Sequence, residues 1–355
     1  MGREMDVEAE PAPGKAEGEA AMADAEAPAK AESRFKMAAE RWKMIRTPPT
    51  EEELQQREKD REKYLSETWE RFRDNWLYAS DYPFDAVTEI PCMRFTDIDV
   101  KGPDYYHYGL EATDTLQIVS VQVKPLDGSG LQWPLDVYGF VAVRDIVDRK
   151  RIMLFNRQRD DCQSINKQDP YLRLTGPTRG VIINSDHSYL EVVLKKKGLT
   201  ESEDEYLSKF VRCYTFGCVD PIQYTNKLCT LEVDHYTVRL SVEATVSVRV
   251  FQGQWPQGFR GVLNATTDDR NEIPIALLDF DDDELPVDDD GSIKLSRRVV
   301  CVGHDDRLGV SLFEDGVGDL GDVWIAAEKS RRATNYMYVK KFDLWLEVIV
   351  AWSLF

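Results

Sequence analysis

Apolar residues recur at helical spacing up to about residue 85, and at every second position from Ile90 onward. The clearest helical run is "EEELQQREKDREKYLSETWERFRDNWLYAS", introduced by Thr50 and Glu53 in capping-box spacing. Acids crowd its first turn, where the helix dipole favours them. Leu54 is almost alone until Tyr64, Leu65, Trp69, Phe72 and Trp76 form an apolar stripe. That spacing predicts a solvated first half and a second half that docks. Its surface is either the chain's own sheet or a protein partner, with Trp69, Phe72 and Trp76 as the partner-binding residues in the second case. A shorter helix is predicted in "RFKMAAERWKMIR".

After Ile90 the runs are short and rich in Val, Ile, Tyr and Phe, with Gly, Pro, Asp and Asn turns about every ten residues. "TVRLSVEATVSVRV" alternates cleanly: Val238, Val242, Val246 and Val250 share one face, and Arg239, Glu243, Ser247 and Arg249 the other. This predicts a mainly β, antiparallel, sandwich-like fold with one face of such a strand buried and the other wet. Ser292–Phe313 repeats the plan of Tyr171–Lys195, setting Arg179 opposite Arg298 and Asp186 opposite Asp305. The sequence therefore divides into a disordered acidic tail over 1–32, a helical segment over 33–85 and an all-β domain over 86–355. Within that domain, related halves are predicted at about 110–230 and 231–355. The tail is Ala, Glu and Pro in quick alternation and holds too few large apolar side chains to offset the entropy of ordering it.

Composition narrows the classes. A net charge of −19 argues against general nucleic-acid binding, which needs a basic face. No apolar run approaches the ~20 residues of a membrane span, and the opening residues lack a secretory apolar core, so a cytoplasmic or nuclear setting is expected. The six cysteines fit buried thiols. "CYTFGC" with Cys229 and His235 does not match a zinc spacing.

"RFRDNWLYASDYPFD", "VYGFVAVRDIVDRKRIMLFNRQRDDCQ", "LTGPTRGVI" and "SVEATVSVRV" resemble an uncharacterised grass family, domain of unknown function 6598, over roughly Glu67–Phe355. Some members of that family carry a ribosome-inactivating rRNA N-glycosylase domain ahead of this one. The resemblance implies a cereal plant protein and an association with stress or defence. It supplies no catalytic residues.

Three constellations invite chemistry. "DFDDDELPVDDDG" gathers Asp279, Asp281, Asp282, Asp283, Asp288 and Asp290, hard oxygens that fit calcium, although EF-hand order is not met. The same run also reads as a solvated acidic loop. Glu243 beside Ala244 fails as an N-glycosylase pair, because it lies in a strand-period run rather than a helix. "RDIVDRKRIMLFNRQRDDC" mixes charges densely enough for an ion network between strands, or for an arginine surface facing an acidic partner. "SDHS" places Ser, His and Asp too close together in one loop to form a triad, and "TGPTRG" lacks the helix a phosphate loop needs. The function expected is a non-enzymatic module binding a protein partner, without a cofactor. The alternatives are a calcium-dependent, C2-like lipid or membrane-surface binder and an enzyme related to the N-glycosylase fusions.

Overall fold

The computed structural model describes residues 50–355 apart from 80–81, 104–107, 184–187, 215–221, 257, 269–272, 281–286 and 315. Residues 1–57 and 58–355 are separate compact units, and of the first only the start of one helix is described. The predicted tail over 1–32 and the helix "RFKMAAERWKMIR" lie outside the described residues.

Helix α1 (Glu51–Ala79) begins directly after Thr50, where the capping sequence puts it. The first strands are β1 (Thr113–Pro125), β2 (Leu135–Arg144), β3 (Ile152–Arg157), β4 (Gln163–Ile165), β5 (Val181–Ile182) and β6 (Ser188–Lys196). Next come β7 (Glu205–Tyr214), β8 (Ile222–Thr225), β9 (Cys229–Gln252), β10 (Gly261–Thr267), β11 (Ile275–Phe280) and β12 (Ser292–Ile293). The last are β13 (Val299–Gly303), β14 (Arg307–Glu314), β15 (Gly318–Ala326), β16 (Arg332–Val339) and β17 (Leu344–Ser353). All pairings between them are antiparallel, as the alternation requires.

Three sheets result. One runs β16-β17-β9-β1-β5, with β8, β12 and β13 also paired to β9; the others run β3-β2-β6-β7, with β4 on β2, and β11-β10-β14-β15. The start of β9 and β1 close a core on the β2 sheet, through Leu116, Val121, Leu154, Val192 and Leu231. The end of β9 and β17 close a second core on the β10 sheet, through Val246, Leu263, Val310, Val348 and Trp352. At 24 residues, β9 spans roughly 80 Å and serves both cores. Leu240, at the changeover, takes φ 42°.

The two cores repeat one pairing plan. β1 pairs with β5 and the start of β9, and the end of β9 pairs with β13 and β17. The β2–β3, β2–β6 and β6–β7 pairs recur as β10–β11, β10–β14 and β14–β15. β8 on β9 recurs as β16 on β17. The register corrects the sequence alignment by two residues. Ile183 donates to Asp114 O as His304 donates to Leu240 O, so Ile183 matches His304 and Arg179 does not match Arg298.

One further expectation fails. Ser241, Glu243 and Thr245 sit on the predicted wet face of β9, yet all are buried. Segment 90–98 lies across Glu243 and the neighbouring Ser353, with Met93 N donating to Glu243 Oε1 at 2.8 Å and Phe95 N to Ser353 Oγ at 3.1 Å, while Ser241 bonds to Thr113 and Thr115 of β1.

Candidate interaction surface

The mixed-charge block forms a network under α1. On the outer face of the β2 sheet, Glu191 takes a hydrogen bond from Arg144 Nε and another, at 2.9 Å, from Arg151 Nε. The Trp76 ring covers the Arg144 guanidinium at 4.1 Å, and Phe72 packs on Tyr189 at 4.8 Å. Burial lowers the Arg144 pKa, against the opposing pull of Glu191. Trp69 and Trp76 are buried and Phe72 half-buried. The structure thus places all three on the chain's own sheet.

A second cluster joins loops. Arg179 forks onto Asp145 at 2.6 and 2.9 Å and reaches Asp148 at 3.3 Å. Burial works against its charge, but the Asp145 bonds outweigh that and its pKa is raised. Gly180 N donates to Glu243 Oε2 at 2.7 Å, and burial pushes the Glu243 carboxyl up. The glycines of "LTGPTRG" are there for close packing. A Cβ on Gly176 would stand 1.8 Å from Met153 O, and one on Gly180 would stand 2.5 Å from the Phe355 ring.

Arg297, fully buried, donates to Ile118 O and Val119 O at a bulge in β1. Burial lowers its pKa to about 10. From the sequence, Arg297 and Arg298 together suggest a local basic patch; the structure buries Arg297 and leaves Arg298 exposed.

The acidic run is divided. Asp281, Asp282 and Asp283 lie outside the described residues, and Asp279 is exposed on β11. Asp288 pairs with Lys294 at 2.8 Å, and Asp290 accepts from Ser292 N at 2.9 Å, closing the turn into β12. Among the described residues no cluster of His, Cys, Asp and Glu is arranged to hold a metal. In "SDHS" only Ser188 is described, and Cys218 of "CYTFGC" is not.

Four exposed aromatic residues share one face that the sequence did not point to. On the outer face of β9, β17 and β16 stand Phe251, Tyr336, Tyr338 and Trp345, which are 53%, 46%, 40% and 36% exposed. Tyr338 stacks on Trp345 at 4.7 Å, and Phe251 meets Tyr336 at 4.8 Å. Tyr336 Oη donates to Glu347 at 3.1 Å, and Tyr338 Oη to Asp343 at 2.9 Å. These bonds raise both phenol pKa values, while Arg249, on its other oxygen, lowers that of Glu347. The rings are therefore pinned by their hydroxyls with their apolar surface toward water.

The first half holds an internal control. Glu232 takes the place of Glu347, accepting from Gln223 and Lys124, each at 2.8 Å. Across from each other stand Thr225 and Thr230, hydroxyls 2.9 Å apart, where the second half has Tyr338 and Trp345. The same sheet position is built polar in one half and aromatic in the other.

Among the described residues the named strands pair antiparallel throughout, in two cores that follow one pairing plan and share β9. The chain belongs to the family described as domain of unknown function DUF6598, whose model matches residues 115–339, a shorter span than the resemblance implied. No curated protein matches the chain. Among solved structures it is similar to human GIVD cytosolic phospholipase A2 at 11% identity and a TM-score of 0.21, covering 68% of this chain and 30% of that one. A likeness that slight has no bearing on fold or function, and the chain spans under a third of that protein's length.

Proposed function

We propose that the chain is a non-enzymatic interaction module that takes a protein partner on the aromatic face of β9, β17 and β16. The observation that carries this reading is the contrast between the halves. Cross-strand aromatic pairs stabilise sheets, but Thr225–Thr230 and Gln223–Glu232 occupy the same positions in a sheet that pairs in the same way. Architecture alone therefore does not require the rings, and a contiguous exposed apolar patch on a soluble chain marks an interaction site. A role in plant stress or defence, in the cytoplasm or nucleus, belongs to the same reading and rests on the family resemblance.

The test uses a photo-crosslinking amino acid at Tyr336 and, as the matched control, at Gln223. The expected result is a discrete crosslinked protein from Tyr336 that is absent from Gln223. Equal crosslinking from both positions, or none from Tyr336, contradicts the reading. The calcium-dependent lipid reading has less support, since Asp288 and Asp290 are spent on Lys294 and Ser292.

A further inference from the structure

We infer that the outer face of the β10 sheet is a further binding site, separate from the aromatic face, and that it takes a neutral carbohydrate. The repeat brings it into view. Arg144 opposite Tyr189, where β2 ends, matches Asp268 beside Arg307, just past the end of β10. Four residues back, the row Phe140–Val193–Lys209 across β2, β6 and β7 matches Asn264–Ser311–Asp322 across β10, β14 and β15. In the first half α1 lies over this face, with Phe72 on Tyr189, Trp76 on Arg144 and Trp69 5.7 Å from the Lys209 ammonium. Among the described residues no helix covers the second. That face carries a ring of its own instead, Trp324 of β15, which is 39% exposed.

Trp324 is held on several sides. Its Nε1 donates to Asp322 Oδ2 at 2.7 Å, and the Arg307 guanidinium stands 5.2 Å from the ring centre. A Cβ on Gly309 would lie 3.0 Å from two carbons of the ring, so that glycine makes its room. Arg307 is fixed in turn by Asp268 at 2.7 Å. Beside this ring Asn264 and Ser311 are half-buried, and their side chains make no hydrogen bond among the described residues. An amide, a hydroxyl and a carboxylate next to a fixed indole both donate and accept along one edge of an apolar surface. A pyranose is the complement, with C–H bonds on its face and hydroxyls around its rim. An apolar helix such as α1 would leave Asn264 and Ser311 unbonded when it covered them, which is costly. Anionic ligands are disfavoured, because Asp322 is left without a cation while Arg307 is already paired with Asp268. The row spans roughly 10 Å across its three strands, room for a disaccharide.

The test is retention of the labelled full chain on immobilised β-glucan, xylan, mannan and galactan oligosaccharides, with sulfated and uronic-acid glycans as the charged set. The expected result is that a neutral glycan retains the chain and the charged set does not. Trp324→Ala should weaken that retention at least tenfold, and Ser311→Val, the first half's residue, roughly fivefold. Ser311→Val changes little in shape, so it decides the matter if Trp324→Ala melts far below wild type. Retention by no neutral glycan, a preference for the charged set, or retention unchanged in Ser311→Val and in a folded Trp324→Ala overturns the inference. Retention lost in Trp345→Thr but kept in Trp324→Ala also overturns it, because the sugar then sits on the aromatic face. If no glycan binds and a photo-crosslinker at Ala326 captures a protein, this face is a protein surface and the carbohydrate is wrong.

Discussion

Arg297 and Asp204 show how single side chains hold this molecule together. Arg297 caps two carbonyls that the β1 bulge turns away from its neighbour strand, and it comes from the other half of the chain. Arg297→Ala strands both acceptors and should cost about 3 kcal/mol in urea unfolding, where an exposed arginine costs almost nothing. Asp204 is held far below the ordinary carboxylate range by hydrogen bonds from Arg159, then Tyr138, then Gly198 N. A depressed folded value means that its contribution is fully present above about pH 4 and fades as pH falls below that. Wild type should therefore outlast Asp204→Asn in thermal melts at pH 7, and the gap should narrow steadily below pH 4. A gap independent of pH would show that the ionised carboxylate is not what matters. Neither residue stands out in the sequence, because a buried Arg and a surface Arg are the same letter until long-range packing decides.

At the scale of elements, the periodicities were legible and the coverings were not. Alternation located β9, and the capping sequence located the start of α1. Local pattern carries no information on what lies over a strand, so the burial of Glu243 beneath segment 90–98 could not be read from it. The tryptophan stripe was found, but its surface was left open between self and partner. Here it lies over Arg144 and Glu191. Trp76→Ala should cost about 3 kcal/mol in urea unfolding, because it removes a large ring and wets a buried guanidinium. A cost under about 0.5 kcal/mol would mean the docked helix adds nothing to stability. The acidic run was read from composition alone. With Asp288 and Asp290 already engaged, melts in calcium and in chelator should coincide to within about 1 °C. A rise of several degrees that vanishes on Asp281/Asp282/Asp283→Asn would restore the ion-binding alternative.

For the whole molecule, the internal repeat was visible as two similar stretches, Tyr171–Lys195 and Ser292–Phe313, but not as a pairing plan running through eight strand equivalences. Strand partners lie far apart in sequence, and the two copies agree in hydrophobic pattern more than in residues. The aromatic face went unnoticed for a related reason. Phe251, Tyr336, Tyr338 and Trp345 come from three strands, each carrying one or two rings that look ordinary alone. Once the halves are superposed strand by strand, the second stands out as a polar sheet remade with rings. Giving it the first half's residues tests that directly, in a single Phe251→Lys, Tyr336→Gln, Tyr338→Thr, Trp345→Thr protein followed by thermal melting and by crosslinking from the neighbouring Thr334. If the rings serve a partner, the variant should melt within about 3 °C of wild type and lose the crosslink. A variant that melts far lower, or that crosslinks as before, would mean the rings hold the sheet together and the partner binds elsewhere.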